Sequence, residues 1–357
     1  MPRDILTRHR PHHRPRSRGP EAALFGGMAA TSSPRLRIVL PGGSGQLGQV
    51  LASFFQDRGH HVTVLTRGPF VAPWQTVHWD GVTIGPWTEH LEGADVCINL
   101  SGRSVNCRYD ALNLRSIYDS RIQTTRLLNR VIAGLADPPR VWLNASTATI
   151  YRHALDRPMD ETKGELGGRG PMTPAAERRD PWSFSARVAL DWETAFFAPP
   201  LPRTRRAALR AAVVLSPLAG NPFVILSRLA RIGLGGPQGK GDQMVSWIHE
   251  RDFARAVEFL AERDDLAGPF NIASPNPLPN REFMKILGEA WETSNALPLP
   301  RPLLALGALL VRSETELVLK SRWVVPGRLL DAGFTFDFPD FRDAAEELAR
   351  RWRRRFD

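Results

Sequence analysis

Leu36-Arg37-Ile38-Val39-Leu40-Pro41-Gly42-Gly43-Ser44-Gly45-Gln46-Leu47-Gly48 changes periodicity within thirteen residues. Leu36–Leu40 is a short apolar run with the length and branching of a buried strand. Glycines follow at 42, 45 and 48. Leu47, Val50, Leu51, Phe54 and Phe55 then recur at helical spacing, and Gly59 closes that helix. A strand, a glycine loop and a helix in this order suit a diphosphate. The first glycine permits a tight turn, the second lets backbone amides approach phosphate oxygens, and the third lets helix pack on strand. The helix N-terminus brings the positive end of its dipole. The spacing predicts that Gly42, Gly43, Ser44, Gly45, Gln46, Leu47 and Gly48 cradle a dinucleotide.

A second strand, Val62–Leu65, ends in Thr66-Arg67. An acidic residue there would accept from a ribose 2′-hydroxyl, whereas an arginine can pair with a 2′-phosphate. NADP(H) is therefore expected over NAD(H). Further strands are predicted at Asp95–Leu100, Val141–Ala145 and Ala211–Leu215, with a long helix from Leu112 to Leu135. Strands alternating with helices imply an α/β Rossmann fold, a doubly wound parallel sheet. Beyond Ser216 the pattern turns irregular and rich in Gly and Pro, which suits a smaller C-terminal lobe on the substrate side. The expected organisation is a disordered basic tail over 1–33, a dinucleotide-binding domain over 34–216 and a substrate-side lobe over 217–296 interleaved with it. A C-terminal domain over 297–350 follows, whose apolar helix faces (Leu303, Leu304, Leu306, Leu309, Leu310) pack on the body or form a dimer contact.

The chain has 357 residues, 42% of them hydrophobic, enough for one sizeable core. No run approaches 18 apolar residues, which excludes a membrane-spanning helix. The net charge of +10 suggests nucleic acid until it is located. Residues 1–36 hold seven Arg against Asp4 and Glu21, and residues 350–357 hold five Arg against Asp357. The body is near neutral, so the charge belongs to solvated tails and no specific nucleic-acid partner is expected. The first tail is Arg-rich like a transit peptide, but its prolines spoil an amphipathic helix. Met28, just before the first strand, equally suggests an over-long gene start. Two cysteines, Cys97 in an apolar run and Cys107, fit a reducing cytoplasm, and nothing has metal-ligand spacing.

Several segments together resemble the "epimerase family protein" branch of atypical, extended short-chain dehydrogenases. Val62-Thr63-Val64-Leu65-Thr66-Arg67 matches its second strand, and Asn99-Leu100-Ser101-Gly102 its Asn-Leu-Ala-Gly segment with Ser101 for Ala. Ser120-Arg121-Ile122-Gln123-Thr124 matches a helical Ser-Arg-x-x-Thr. Gly233-Leu234-Gly235-Gly236-Pro237 with Trp247-Ile248-His249 and Asp252 is the most distinctive block. Val325-Pro326, Ala332-Gly333-Phe334 and Phe338-Pro339 resemble an appended C-terminal domain of unknown function. The resemblance implies an NADP-binding protein, with Leu100, Ser101, Gly102 and Arg121 joining the loop, Thr66 and Arg67 around the cofactor. It implies a small-molecule partner, a carbonyl compound or nucleotide sugar.

Such dehydrogenases commonly place Tyr and Lys four apart on one helix face, the lysine lowering the tyrosine's pKa and holding the ribose. The three tyrosines here, Tyr109, Tyr118 and Tyr151, are followed four residues on by Asn113, Ile122 and Leu155. Aligning Trp192-Glu193 on the expected helix Phe184–Phe196 puts Ser185 and Ala189 in the two places. The upstream segment Ser146-Thr147-Ala148-Thr149-Ile150-Tyr151 keeps the family's hydroxyl at Thr147. Thr147 and Tyr151 are therefore the catalytic candidates, with Glu161, Arg187 and His249 as other proton-transfer candidates. Asp160 reads as a solvated carboxylate, and Asp252 as a helix cap or first-turn carboxylate. Two functions stay open: an oxidoreductase or epimerase with a non-standard acid and base, or a nucleotide-binding sensor with little turnover.

Overall fold

A computed structural model describes residues 35–168, 181–293 and 319–356. The expectations for residues 1–33 and for Leu303–Leu310 lie outside the described residues. Strands β1 (Arg37–Pro41), β2 (His61–Thr66), β3 (Gln75–His78), β4 (Val96–Asn99), β5 (Val141–Thr147), β6 (Arg205–Ala211) and β10 (Gly268–Ile272) form one parallel sheet in the order β3-β2-β1-β4-β5-β6-β10. The strand order reverses between β1 and β4, which opens a crevice at their carboxyl ends where ligands of such sheets bind.

Both faces of the sheet are covered, as parallel sheets require. Helix α1 (Gln46–Asp57) and α5 (Glu250–Glu262) bury Leu51, Phe55, Phe253 and Val257 against Ile38, Val64 and Leu143 on one face. Helices α2 (Ala111–Gly134) and α3 (Pro181–Phe197) cover the other, with Leu127, Leu128 and Phe196 against Cys97 and Trp142. Burial pushes the Cys97 thiol up, so it acts as a small hydrophobe.

The strand expected at Ala211–Leu215 is divided. Residues 205–211 enter the main sheet, while β7 (Val213–Leu215) pairs with β9 (Trp247–His249) in a separate two-stranded sheet. Two arginines and Ala at its start hide β6 from an apolar-run search, and its buried Arg210 depends on a partner distant in sequence. Beyond it, α4 (Pro222–Arg231), β8 (Met244–Val245), β11 (Leu278–Pro279), α6 (Asn280–Ala290) and α7 (Phe341–Phe356) build a second apolar cluster. Phe223, Trp247, Phe283, Leu287, Phe341 and Leu348 fill it. The segment after Ser216 thus contributes to both clusters, because α5 and β10 return to the large sheet.

Asp252 fastens the two parts. It is fully buried in the first turn of α5, and its two carboxylate oxygens accept the amides of Asp337 and Phe338, each at 2.8 Å. Arg255 pairs with it at 3.0 Å. The expected cap of α5 is instead His249, whose Nδ1 accepts the Arg251 amide while Nε2 faces Glu347 at 3.0 Å. Asp252→Ala should lower the unfolding free energy by about 2–4 kcal/mol, because two partly buried amides lose their acceptor and Arg255 keeps only Asp337 and the Thr335 carbonyl among the described residues. Urea denaturation would measure it, and a loss below about 1 kcal/mol would mean that solvent reaches the junction.

Candidate functional site

A cleft of about 460 Å³ opens at the crevice between β1 and β4. Its floor begins with the glycine loop. Gly42 has φ +74°, and a Cβ there would lie 2.7 Å from the Ser101 Cα, so only glycine lets the two loops touch. Gly45 precedes α1 in extended conformation with no side chain capping the helix amides. A Cβ at Gly45 would meet only the Gly42 carbonyl oxygen, at 3.7 Å. Uncapped helix amides facing open space form an anion site. Ser101 adds a buried hydroxyl oxygen without a hydrogen-bond partner beside Gly42.

The loop is held from several sides. The Gly42 amide donates to the Leu65 carbonyl at 2.9 Å, and the Thr66 hydroxyl donates to Ser44 Oγ at 3.1 Å. Gln46 Nε2 donates to the Ala219 carbonyl at 2.6 Å, tying the loop to the segment that follows β7. Arg67, next in the chain after Thr66, is exposed and makes no ion pair among the described residues. Its charge is available beside the loop.

Helix α3 and the end of β5 form the opposite wall. Ser185 and Ala189 both line the cleft. Thr147 lines it as well, and its Oγ1 accepts the Thr149 amide at 3.1 Å. That bond uses a lone pair and leaves the Thr147 proton to be donated. Ser146 is arranged the other way. Its hydroxyl donates to Glu193 Oε1 at 2.6 Å, so towards the cleft it has only lone pairs to offer. Glu193 is in turn bidentate to buried Arg210, through Nε at 2.9 Å and the outer nitrogen at 2.7 Å. Sequence reasoning missed this pair.

Tyr151 is not brought to the cleft. It is buried, donating to Asn271 Oδ1 at 2.9 Å and accepting from Arg210 at 2.8 Å, and burial pushes its hydroxyl's pKa up. Its place is in the network behind Ser146. Glu161 also serves elsewhere, accepting the amides of Asn271 at 2.7 Å and Arg328 at 3.2 Å, with burial raising its pKa. Asp160 accepts the Thr162 amide in a local turn. His249 and Arg187 are absent from the cleft lining.

Arg121 lies on α2 and reaches the cleft over Gly102, where a Cβ would stand 3.2 Å from the Arg121 Cζ. One terminal nitrogen donates to the Arg103 carbonyl at 3.1 Å and the Ile117 carbonyl at 2.9 Å. Its Cζ is 5.2 Å from the Trp192 ring centroid. Among the described residues no carboxylate pairs with it. Burial pushes the guanidinium down to about 10.

Comparison with known families agrees with this architecture. Residues 38–273 match the NAD dependent epimerase/dehydratase family. The chain belongs to that family. The chain is similar to the epimerase family protein SDR39U1 of Bos taurus, 30% identical over 317 residues that span 88% of this chain and 99% of the bovine protein. The epimerase family protein YfhF of Bacillus subtilis is 29% identical, over 88% of this chain and 98% of its own. The crystal structure of human SDR39U1 (isoform 2), solved with NADPH, superposes with a TM-score of 0.75 at 27% identity, covering 88% of this chain and 99% of the human one. Residues 299–348 match a further domain of unknown function, DUF1731, which follows the family's dinucleotide-binding part here. No helix among the described residues is long and apolar enough to cross a membrane, and no group of three His, Cys, Asp or Glu among them could hold a metal.

Proposed function

We propose that the chain binds NADP(H) in this cleft and acts on a small carbonyl compound or nucleotide sugar as an oxidoreductase or epimerase. One observation carries the reading: uncapped amides at the start of α1 face open space above three glycines, with Arg67, which makes no ion pair among the described residues, next to them. The residues fit the cofactor. Gly42, Gly43, Ser44, Gly45, Gln46, Leu47 and Gly48 would hold the pyrophosphate, Thr66 and Arg67 the 2′-phosphate, and Leu100, Ser101 and Gly102 the far side. When bound, NADPH supplies a hydride to a carbonyl carbon. Thr147 would donate a hydrogen bond to the oxygen of such a carbonyl and polarise it, and Ser146 would accept from a neighbouring hydroxyl or amide. The NADPH carried by the human relative supports the choice of cofactor.

Ser185 and Ala189 favour the second reading, a nucleotide-responsive protein with little turnover, because neither can transfer the proton that a Tyr–Lys pair would. NADPH fluorescence on binding, followed by a screen of carbonyl compounds and nucleotide sugars for cofactor oxidation or epimerised product, separates the two. Tight binding without turnover across the panel selects the sensor. Arg67→Asp should shift the preference between NADPH and NADH by about 1–3 kcal/mol towards NADH, the scale of a charge-assisted hydrogen bond. Unaltered discrimination would remove Arg67 from the site.

A further inference from the structure

Among the described residues that line the cleft, the charged ones are Arg103, Arg121 and Arg322, and none is acidic. The resemblance gives Arg121 to the cofactor. Arg322 stands apart. It is the one described lining residue that comes from beyond Trp192, and it lies in the stretch 299–348 that matches the domain of unknown function.

Residues 320–325 form a strap that holds this side chain in place. The Arg322 amide donates to the Met244 carbonyl at 2.9 Å, and its own carbonyl accepts from Ser246 Oγ at 2.7 Å. Along the other edge the Met159 amide donates to the Trp323 carbonyl at 2.7 Å, and the Val325 amide to the Met159 carbonyl at 3.0 Å. The Ser321 amide donates to His153 Nδ1 at 3.0 Å. The strap is thus pinned between β8 and the loop after Tyr151. Its two cations converge on Thr149. Lys320 Nζ donates to the Thr149 carbonyl at 3.0 Å, and Arg322 Nε to the Thr149 hydroxyl at 3.1 Å.

Thr149 in turn donates its amide to Thr147 Oγ1 at 3.1 Å. A single residue therefore couples the guanidinium to the hydroxyl that would polarise a carbonyl. The same cleft has an apolar wall, where Val188 packs with Tyr109 and Phe184, whose rings meet edge to face at 5.7 Å. A guanidinium pairs well with a carboxylate, and aromatic and aliphatic side chains with hydrocarbon. Space limits the rest. The cleft's 460 Å³ is of the size that one ligand fills, and a dinucleotide takes the part over the glycine loop. What is left suits a compact molecule better than a second nucleotide.

We infer that Arg322 is the substrate-recognising cation and that the substrate is a compact oxo acid. Its carboxylate lies on Arg322, its neighbouring carbonyl at Thr147 and its apolar remainder against Tyr109 and Phe184. This rests on the NADP(H) reading above and narrows its substrate to one class. It also gives the C-terminal domain a task, which is to complete the cleft from outside the dinucleotide-binding part.

The test uses calorimetry on the purified full chain saturated with NADP+, which cannot reduce an oxo acid, so binding is read without turnover. The probes are phenylpyruvate, its uncharged methyl ester and UDP-glucose. Phenylpyruvate should bind at least about 10-fold more tightly than either of the others. Arg322→Met should raise its Kd about 10- to 100-fold while leaving the ester and NADPH within about 2-fold. Arg322→Lys should recover part of the loss. An arginine that serves only to hold the strap would weaken acid and ester alike. Should Arg322→Met not fold, Thr149→Val, which removes the acceptor that aims Nε, reads the same selective loss. Equal weakening of acid and ester, or tighter binding of UDP-glucose than of phenylpyruvate, overturns the assignment, as does wild-type protein that holds NADPH but not phenylpyruvate. Wild-type protein that does not bind NADPH overturns the cofactor reading itself.

Discussion

Glu193→Ala should be among the most damaging single substitutions in this fold, costing about 3–5 kcal/mol, the range for breaking a buried ion pair from one side. The side chains of Glu193 and Arg210 are only 11% and 6% exposed. Removing the carboxylate leaves the Arg210 guanidinium with the Tyr151 hydroxyl as its one remaining acceptor among the described residues, and it strips Ser146 of its hydrogen-bond acceptor. Asn271 and β10 lie one bond further along, so the damage should spread from β5 through β6 to the sheet edge. The double variant Glu193→Leu/Arg210→Met removes both charges and should regain most of the loss, because most of the cost lies in the orphaned partner. Urea unfolding of the two single variants and the double gives the coupling directly. Additive losses would show that the pair does not act as a unit.

That network also marks where sequence reading ran out. The first strand, the glycine loop and α1 were legible because every signal lies within about twenty residues and has a steric cause. That Ser185 and Ala189 face the same way was legible for a similar reason, since spacing along one helix fixes which residues share a face. Tyr151 matched the family's pattern locally, yet its environment depends on Arg210 and Asn271, which lie 59 and 120 residues away. Nothing near Tyr151 announces either. Strand β6 was misplaced because its arginines look solvated until Glu193 is seen opposite. Edge strand β3 was missed because its sequence, Gln75-Thr76-Val77-His78, is mostly polar, as an edge allows. Asp252 looked like a helix-start carboxylate and is one, but its partners come from residues 337 and 338. Local geometry writes itself into sequence; ties between distant segments do not.

The glycine loop offers the sharpest contrast between fold and ligand. At Gly48 a Cβ would lie 2.2 Å from the Gly43 carbonyl oxygen and 2.3 Å from its Cα, both rigid backbone atoms. Gly48→Ala must therefore push α1 off the glycine loop. It should cost about 1–3 kcal/mol of stability, the range for overpacking a tight contact. NADPH affinity should fall roughly 100-fold or more, about 2.7 kcal/mol, because the helix amides no longer point at the phosphates. Gly45→Ala is the counterpart. Its new methyl meets only the Gly42 oxygen at 3.7 Å, so the protein should fold and melt like wild type. Yet that methyl stands in the cleft where a pyrophosphate must approach the backbone, and NADPH binding should drop by a comparable factor. Melting curves and NADPH titrations of the two variants side by side decide the matter. If Gly45→Ala binds NADPH as wild type does, the phosphates do not lie on this loop, and the cofactor site must be sought elsewhere.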